Sequence, residues 1–397
     1  MLNSTADAAG GPASHPFHVM AKPAGPACNL RCDYCFYLEK EQMFAPRQPR
    51  RMDERTLEAF VRQYIEAQPG ERVVFAWQGG EPTLLGVDWY RRALALQRRH
   101  GRGRRIENTL QTNGTLLDDE WGAFLKENGF LVGISIDGPP ALHDRSRVDA
   151  NGRPSSARVQ AGIEVLRRHA VPFNTLTCVS AANAHAPLAV YRYLKEIGSR
   201  HLQFIPVAEP RPGQRGAATP PSVSGAQWGR FLIAIFDEWV RSDVGEVYVD
   251  MFDLSLAKWL GIAGGLCVHA ETCGDALAIE HDGSVYSCDH YVGPEHRLGW
   301  IHEQPLAQLA GSAQQTRFGQ DKAHRLPEAC YACPVLFACN GGCPKHRFAG
   351  IDGRHNHLCE GYRAYFTHVG GPMQLMADRY RRGESPAGVT RQPNASQ

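Results

Sequence analysis

The sequence predicts an α/β fold: βα units around a parallel sheet or barrel, then a loop-rich, cysteine-dense region. Three observations carry this. From Phe17 to about Val207 short apolar runs alternate with stretches of helical spacing, the alternation expected of a parallel sheet. Eight of the twelve cysteines fall after Gly261, where periodic hydrophobicity fades. The composition, 43% hydrophobic and 21% charged over 397 residues, is that of a globular chain with room for two or three domains.

Taken in order, residues 1–15 are small, polar and Gly/Pro-rich, and disorder is expected there. Within 16–208, VVFAWQGG, IENTLQTNG, LVGISIDG and HLQFIPV read as strands, each ending in a polar or glycine-rich loop. Between them RTLEAFVRQYIEA, WYRRALALQRRH, DDEWGAFLKENG and PLAVYRYLKEIG show helical spacing. Residues 209–260 are expected to be a linker and connecting helices: 209–225 is dense in Pro and Gly, and QWGRFLIAIFDEWVRSD follows as a helix. Residues 261–370 form a further domain, expected to be held by metals more than by its own core. The rest, 371–397, reads as a helix end and a tail that is a disorder candidate beyond Tyr380.

Lys+Arg 43 against Asp+Glu 41 leaves a formal charge of +2, which recommends neither a nucleic-acid nor an acidic-membrane partner. No apolar run approaches the roughly 18 residues of a membrane span, and the N-terminus has no apolar export core. A soluble, cytoplasmic protein is expected. In a reducing compartment clustered thiols are better read as metal ligands than as disulfides.

Cys28, Cys32 and Cys35 form C-x3-C-x2-C in GPACNLRCDYCFY, and the next cysteine is Cys178. Three close thiolates without a fourth suit one face of a cubane cluster, leaving one iron open to a small molecule. The rival reading is zinc. Gly79-Gly80-Glu81-Pro82 follows a strand, and a glycine pair lets a ligand approach the backbone closely. Further strand-end residues are Gln111, Thr112 and Asn113, then Ser135 and Asp137, then Arg147, whose guanidinium suits a carboxylate.

With these motifs in place the chain resembles the radical S-adenosylmethionine (SAM) superfamily, whose signature is C-x3-C-x2-C with an aromatic residue before the third Cys. The resemblance implies a partial (β/α)6 barrel in which the GGEP loop holds the SAM amino group. The C-terminal cysteines resemble the SPASM extension, which carries two auxiliary clusters. By that resemblance Cys267, Cys273, Cys288 and Cys343 hold one 4Fe-4S cluster and Cys330, Cys333, Cys339 and Cys359 the other, three in all with the first. Two zinc ribbons are the alternative for these eight. Cys178 is left over and is expected to be a buried small hydrophobe. His346, His355 and His357, near the last cysteines, are expected to be solvated.

Within that group the chain is similar to the anaerobic sulfatase-maturing enzymes, through KPAGPACNLRCDYCFY, WQGGEPTLLG, LQTNGTLLDDEW, GISIDGP, LQFIP, GSVYSCDHYV and CNGGCPKHR. The similarity implies oxidation of a sulfatase Cys or Ser to formylglycine, with the sulfatase polypeptide as substrate. It implies a small electron donor of flavodoxin or ferredoxin type. It carries SAM contacts onto Tyr34, Gly80, Ser135, Arg147 and, after the LQFIP strand, Ala208. Asp289, directly after Cys288, becomes the general base. Two other readings stay open: a SPASM enzyme forming a thioether crosslink in a peptide, and a non-catalytic iron–sulfur or zinc scaffold.

Overall fold

The computed structural model describes residues 13–44, 50–262, 265–350 and 353–391. Most of the N-terminal stretch expected to be disordered, and the end of the C-terminal one, lie outside these residues. Ala13 already belongs to the fold, donating its N–H to Ala67 O at 2.8 Å.

Six strands alternate with helices through the first half. They are β1 (His18–Lys22), β2 (Arg72–Trp77), β3 (Arg105–Thr112), β4 (Leu131–Ser135), β5 (Phe173–Val179) and β6 (His201–Pro206). The helices between them are α1 (Glu54–Ala67), α2 (Val87–His100), α3 (Asp119–Glu127), the short α4 (Pro140–His143), α5 (Ser156–Arg168) and α6 (Pro187–Glu196). Each strand pairs in parallel with the next, as helical crossovers require. α1 shows why these helices form. Asp53 caps it by accepting from Thr56 N–H at 2.7 Å, and Leu57, Phe60, Val61, Tyr64 and Ile65 make one buried stripe.

The sheet does not stop at the expected barrel boundary. After α7 (Gly225–Ser242) comes β7 (Tyr248–Val249), which pairs with β6, and α8 (Asp250–Trp259). β8 (Ala276–Glu280) then pairs in parallel with β1, and β9 (Ser284–Tyr286) and β10 (Arg297–Trp300) fold back antiparallel. The order is β10-β9-β8-β1-β2-β3-β4-β5-β6-β7, with ten strands among the described residues. Leu277, Ile279 and Val285 are fully buried in the main core. The expectation that everything after Gly261 depends on metals is therefore corrected for 276–300, which shares the barrel's core.

The remaining elements are α9 (Leu306–Ala310), α10 (Ala313–His324), α11 (Glu328–Tyr331), α12 (Leu336–Cys339), the β11 (Arg347–Ala349) and β12 (His355–Asn356) pair, and α13 (Cys359–Arg381). α13 buries Tyr362, Tyr365, Phe366, Val369, Met373 and Met376. It meets α7 at Gly361, where an added Cβ would lie 2.2 Å from Gly225 O; only glycines allow this approach. Beyond Tyr380 the chain is ordered as far as Arg391: Arg379 Nε donates to Ser385 O at 3.0 Å and 386–391 form a 3-10 turn. That part of the predicted disordered tail is corrected.

Candidate active site

The loops at the C-terminal ends of β1 to β6 gather most of the residues singled out in the sequence, as expected of a βα sheet. The loop after β2 is seated on the loop that bears the cysteine triad. Gly80 N–H donates to Gly25 O at 2.9 Å and Glu81 N–H to Ala27 O at 2.8 Å. A Cβ on Gly80 would stand 2.1 Å from Ala27 O, and Gly79 has φ +132°, so both glycines are demanded by the contact. Glu81 is fully buried. It accepts from Thr83 N–H at 2.9 Å, Thr112 Oγ1 at 2.7 Å and Asn113 N–H at 2.8 Å, tying the loops after β2 and β3 together. Asn113 Nδ2 reaches Asn29 Oδ1 at 2.8 Å, beside Cys28.

Burial pushes the Cys28 thiol up to about 11 and the Cys32 thiol up to about 12, with the neighbouring thiolates adding to the effect. Such thiols stay protonated at neutral pH unless a metal takes the proton's place. Tyr34, between Cys32 and Cys35, donates to Asp137 Oδ2 at 2.5 Å. Arg147 Nε holds the same oxygen at 2.9 Å, with the guanidinium 5.6 Å from the Tyr34 ring centroid. The Arg147–Asp137 pair is almost wholly buried. Arg147 thus has one donor committed within the chain, which the expectation of a simple carboxylate clamp did not include. Ser135 Oγ accepts from Gln111 Nε2 at 3.0 Å, and Ala208 is buried just past β6.

Cys178 departs from expectation. It is half-buried at the end of β5; Arg147 Nη2 lies 3.7 Å from its sulfur and its N–H donates to Asp137 Oδ1 at 3.0 Å. It borders the triad instead of filling the core.

Asp289 is held by residues that flank the triad in sequence. Its Oδ1 lies 2.5 Å from Lys22 Nζ, at the end of β1, and 3.4 Å from the Tyr37 hydroxyl. Lys40 Nζ donates to Asp289 O at 2.8 Å. Tyr37 also donates to Glu280 Oε1 at 3.0 Å. Burial alone pushes a carboxyl up, but the Lys22 and Lys40 ammonium groups outweigh it and hold Asp289 below the usual carboxylate range. Lys22, Lys40 and Glu280 were not singled out from sequence, because a lone Lys or Glu is ordinarily a surface residue. A cavity of about 780 Å³, lined among others by Tyr34, Cys35, Phe36, Lys40 and His290, opens between the triad loop and the segment after Asp289.

The eight C-terminal cysteines fall into two neighbourhoods. Cys273 and Cys288 each feel Cys267 and Cys343, while Cys339 feels Cys330, Cys333 and Cys359. All twelve cysteines are free thiols. Among the described residues no three His, Cys, Asp or Glu side chains converge to chelate one metal ion. Two neighbourhoods of four thiols, in addition to the triad, make a soft all-sulfur donor set of the kind iron–sulfur clusters take. His346, expected to be solvated, is buried, while His357 is half-buried with Nε2 3.1 Å from Val223 O. His355 is half-buried in β12.

Residues 23–194 match the Radical SAM superfamily, and residues 267–334 match an iron-sulfur cluster-binding domain, SPASM. The chain is a radical SAM protein with a SPASM domain. It is 43% identical over 394 residues to a serine-type anaerobic sulfatase-maturating enzyme of Bacteroides thetaiotaomicron, covering 95% of each. To a cysteine-type enzyme of Clostridium perfringens it is 34% identical, covering 89% of this chain and 96% of that protein. The structure of native anSMEcpe with bound AdoMet and Cp18Cys peptide superposes at TM-score 0.84 and 33% identity, over 92% of this chain and 99% of that one. Streptococcus suis SuiB with SAM, at TM-score 0.61 and 15% identity, shares the fold alone. The chain belongs to the anaerobic sulfatase-maturating enzymes and is a radical SAM oxidoreductase.

Proposed function

We propose that this chain activates a sulfatase by oxidising one of its Cys or Ser residues to formylglycine. The observation that carries the reading is the position of Asp289. It follows Cys288, yet Lys22, Tyr37 and Lys40, which flank the triad on the barrel side, hold it in place. A carboxylate next to an auxiliary cysteine is thereby tied to residues that flank the triad in sequence, and one of them, Lys40, lines the cavity beside Tyr34 and Cys35.

In this reading Cys28, Cys32 and Cys35 hold the SAM-binding 4Fe-4S cluster, and SAM lies against Tyr34, Gly80, Ser135, Arg147 and the Ala208 backbone. When bound, the reduced cluster and SAM would supply one-electron radical chemistry at the target carbon, and the auxiliary clusters would supply an acceptor for the second electron. The chain's own work is placement and charge. Gly80 keeps the loop thin enough for a ligand to reach the backbone. The Asp137–Arg147–Tyr34 group fixes a guanidinium beside the triad. Asp289 takes the thiol or hydroxyl proton, and Lys22 keeps that carboxyl ionised where burial alone would neutralise it. The set Cys267, Cys273, Cys288, Cys343 and the set Cys330, Cys333, Cys339, Cys359 hold the two auxiliary clusters.

A cytoplasmic location and a small flavodoxin- or ferredoxin-type electron donor complete the proposal. No described helix is long and apolar enough to cross a membrane. The test is anaerobic reconstitution with SAM, a reductant and two sulfatase peptides that differ only in Cys or Ser. Formylglycine in at least one peptide is expected. Cleavage of SAM with both peptides unchanged would overturn the reading.

A further inference from the structure

Helix α10 presents Gln315, Gly319 and Lys322 on one face, at spacings of four and three, and all three are turned toward the first auxiliary cysteine set. Gln315 Nε2 donates to Gly274 O at 2.6 Å and to Ser287 O at 3.0 Å, gripping the residues next to Cys273 and Cys288. At Gly319 an added Cβ would meet Cys273 O at 2.2 Å, so the helix backbone lies against that cysteine. Lys322 is fully buried. Its Nζ donates to Cys267 O at 2.5 Å, to Val268 O at 3.1 Å and to Ala270 O.

A fully buried lysine is rare and costs solvation energy unless something compensates it. Three carbonyl acceptors use three N–H donors, which only the ammonium form has. The charge is therefore built in. The charged groups it feels are the Cys273, Cys267 and Cys343 thiolates and, opposing them, the Arg347 guanidinium. Arg347, a half-buried cation nearby, faces Cys330 as well as Cys343 and Cys273, so it acts on both sets, and Lys345 faces Cys343. Lys322 is the fully buried cation that faces Cys273, Cys267 and Cys343 together.

We infer that Lys322 is the resident countercharge of the auxiliary cluster held by Cys267, Cys273, Cys288 and Cys343, and that it raises that cluster's reduction potential. Reduction adds one electron and no proton to an already anionic group, and a fixed cation in a low-dielectric setting favours the more negative state. This rests on the ligand sets proposed above.

The test uses the full chain, reconstituted anaerobically, with iron counted and each cluster followed by EPR during a redox titration. Lys322→Gln keeps hydrogen-bond donors and loses the charge; Lys322→Arg keeps the charge. The Gln variant should show this cluster's reduced-to-oxidised ratio falling roughly tenfold at fixed potential, about 59 mV for one electron, while the Arg variant stays near the unmutated chain. An unchanged potential in an iron-replete Gln variant would overturn the inference. So would loss of the cluster from both variants, which would make Lys322 a structural staple only. Cys273→Ala separates the two levels: if it kept all its iron, the ligand sets themselves would be wrong.

Discussion

The Lys22 ammonium lies 2.5 Å from the Asp289 carboxylate, and the two residues come from opposite ends of the chain. β1 delivers Lys22 and the turn after β9 delivers Asp289, and β8 brings them together by pairing with β1. The side chains are 1% and 13% exposed, so this pair is screened far less than a surface bridge. Asp289→Asn keeps the shape and removes the base, so SAM cleavage should continue while formylglycine falls roughly 10²–10⁴-fold. Lys22→Met leaves the carboxylate without its main partner, and should also lose product while costing about 3–5 kcal/mol of stability. Parallel assays of 5′-deoxyadenosine, formylglycine and iron on each variant check this. Unmutated product yields from an iron-replete Asp289→Asn protein would show that Asp289 is not the base.

Gly80→Ala tests the loop that rests on the triad. Its new Cβ would meet backbone at 2.1 Å, and backbone cannot move aside as a side-chain tip can. One of the two loops must shift, so SAM affinity should fall at least roughly tenfold with the fold retained. Equilibrium binding of SAM to the reconstituted protein measures it. Gly70→Ala, with nothing within 4 Å of the new Cβ, serves as the control.

The parts of this site that were legible in the sequence are those marked by residue type. Close cysteine spacing marked the triad and the C-terminal cysteine-rich stretch, the glycine pair counted because it follows a strand downstream of that triad, and the division of the eight cysteines into two sets came from the family resemblance. What escaped was long-range pairing of charges. Lys22, Lys40 and Lys322 carry no local mark of burial, which follows from acceptors far along the chain, 249 residues away for Lys40 with Asp289. Arg147 and Asp137 both stood out as strand-end residues, but nothing local showed that they pair with each other. The long helix α13 was blurred because Gly361, Gly370, Gly371 and Pro372 interrupt its pattern. Gly361 is there for the contact with α7, a tertiary reason that no local periodicity reveals.

Cys178 and Cys32 should behave differently although both border Arg147. Cys32→Ala removes a triad thiol and should abolish SAM cleavage with a loss of roughly four irons per chain. Cys178→Ala should keep every iron and cost on the order of 1 kcal/mol. Iron analysis with anaerobic SAM-cleavage assays distinguishes them. A missing cluster in Cys178→Ala would mean that the cysteine sets have been drawn wrongly.

His143 predicts a pH dependence whose sign follows from its bonds. Its Nδ1 accepts the Asp137 N–H at 3.2 Å and its Nε2 lies 2.9 Å from Ser155 Oγ, so the ring is built in as the neutral tautomer with its proton on Nε2. Burial pushes its pKa from 6.5 down to about 4. Between those values the unfolded chain binds a proton that the folded chain refuses. The contribution is therefore intact above about pH 6.5 and is lost as pH falls toward 4, with a limit of about 3 kcal/mol. Between about pH 7.5 and 5.5 the loss should be about 1.4 kcal/mol. His143→Gln removes the titrating ring, so its stability should fall less over that range, by that amount, in anaerobic urea unfolding at matched iron content. Protonation would also break the bond to the Asp137 backbone, which holds the partner of Arg147. SAM affinity of the unmutated chain should therefore hold between about pH 7.5 and 5.5, weaken only as pH approaches about 4, and do so less in the Gln variant. Equal pH slopes for the two proteins would place the titrating group elsewhere.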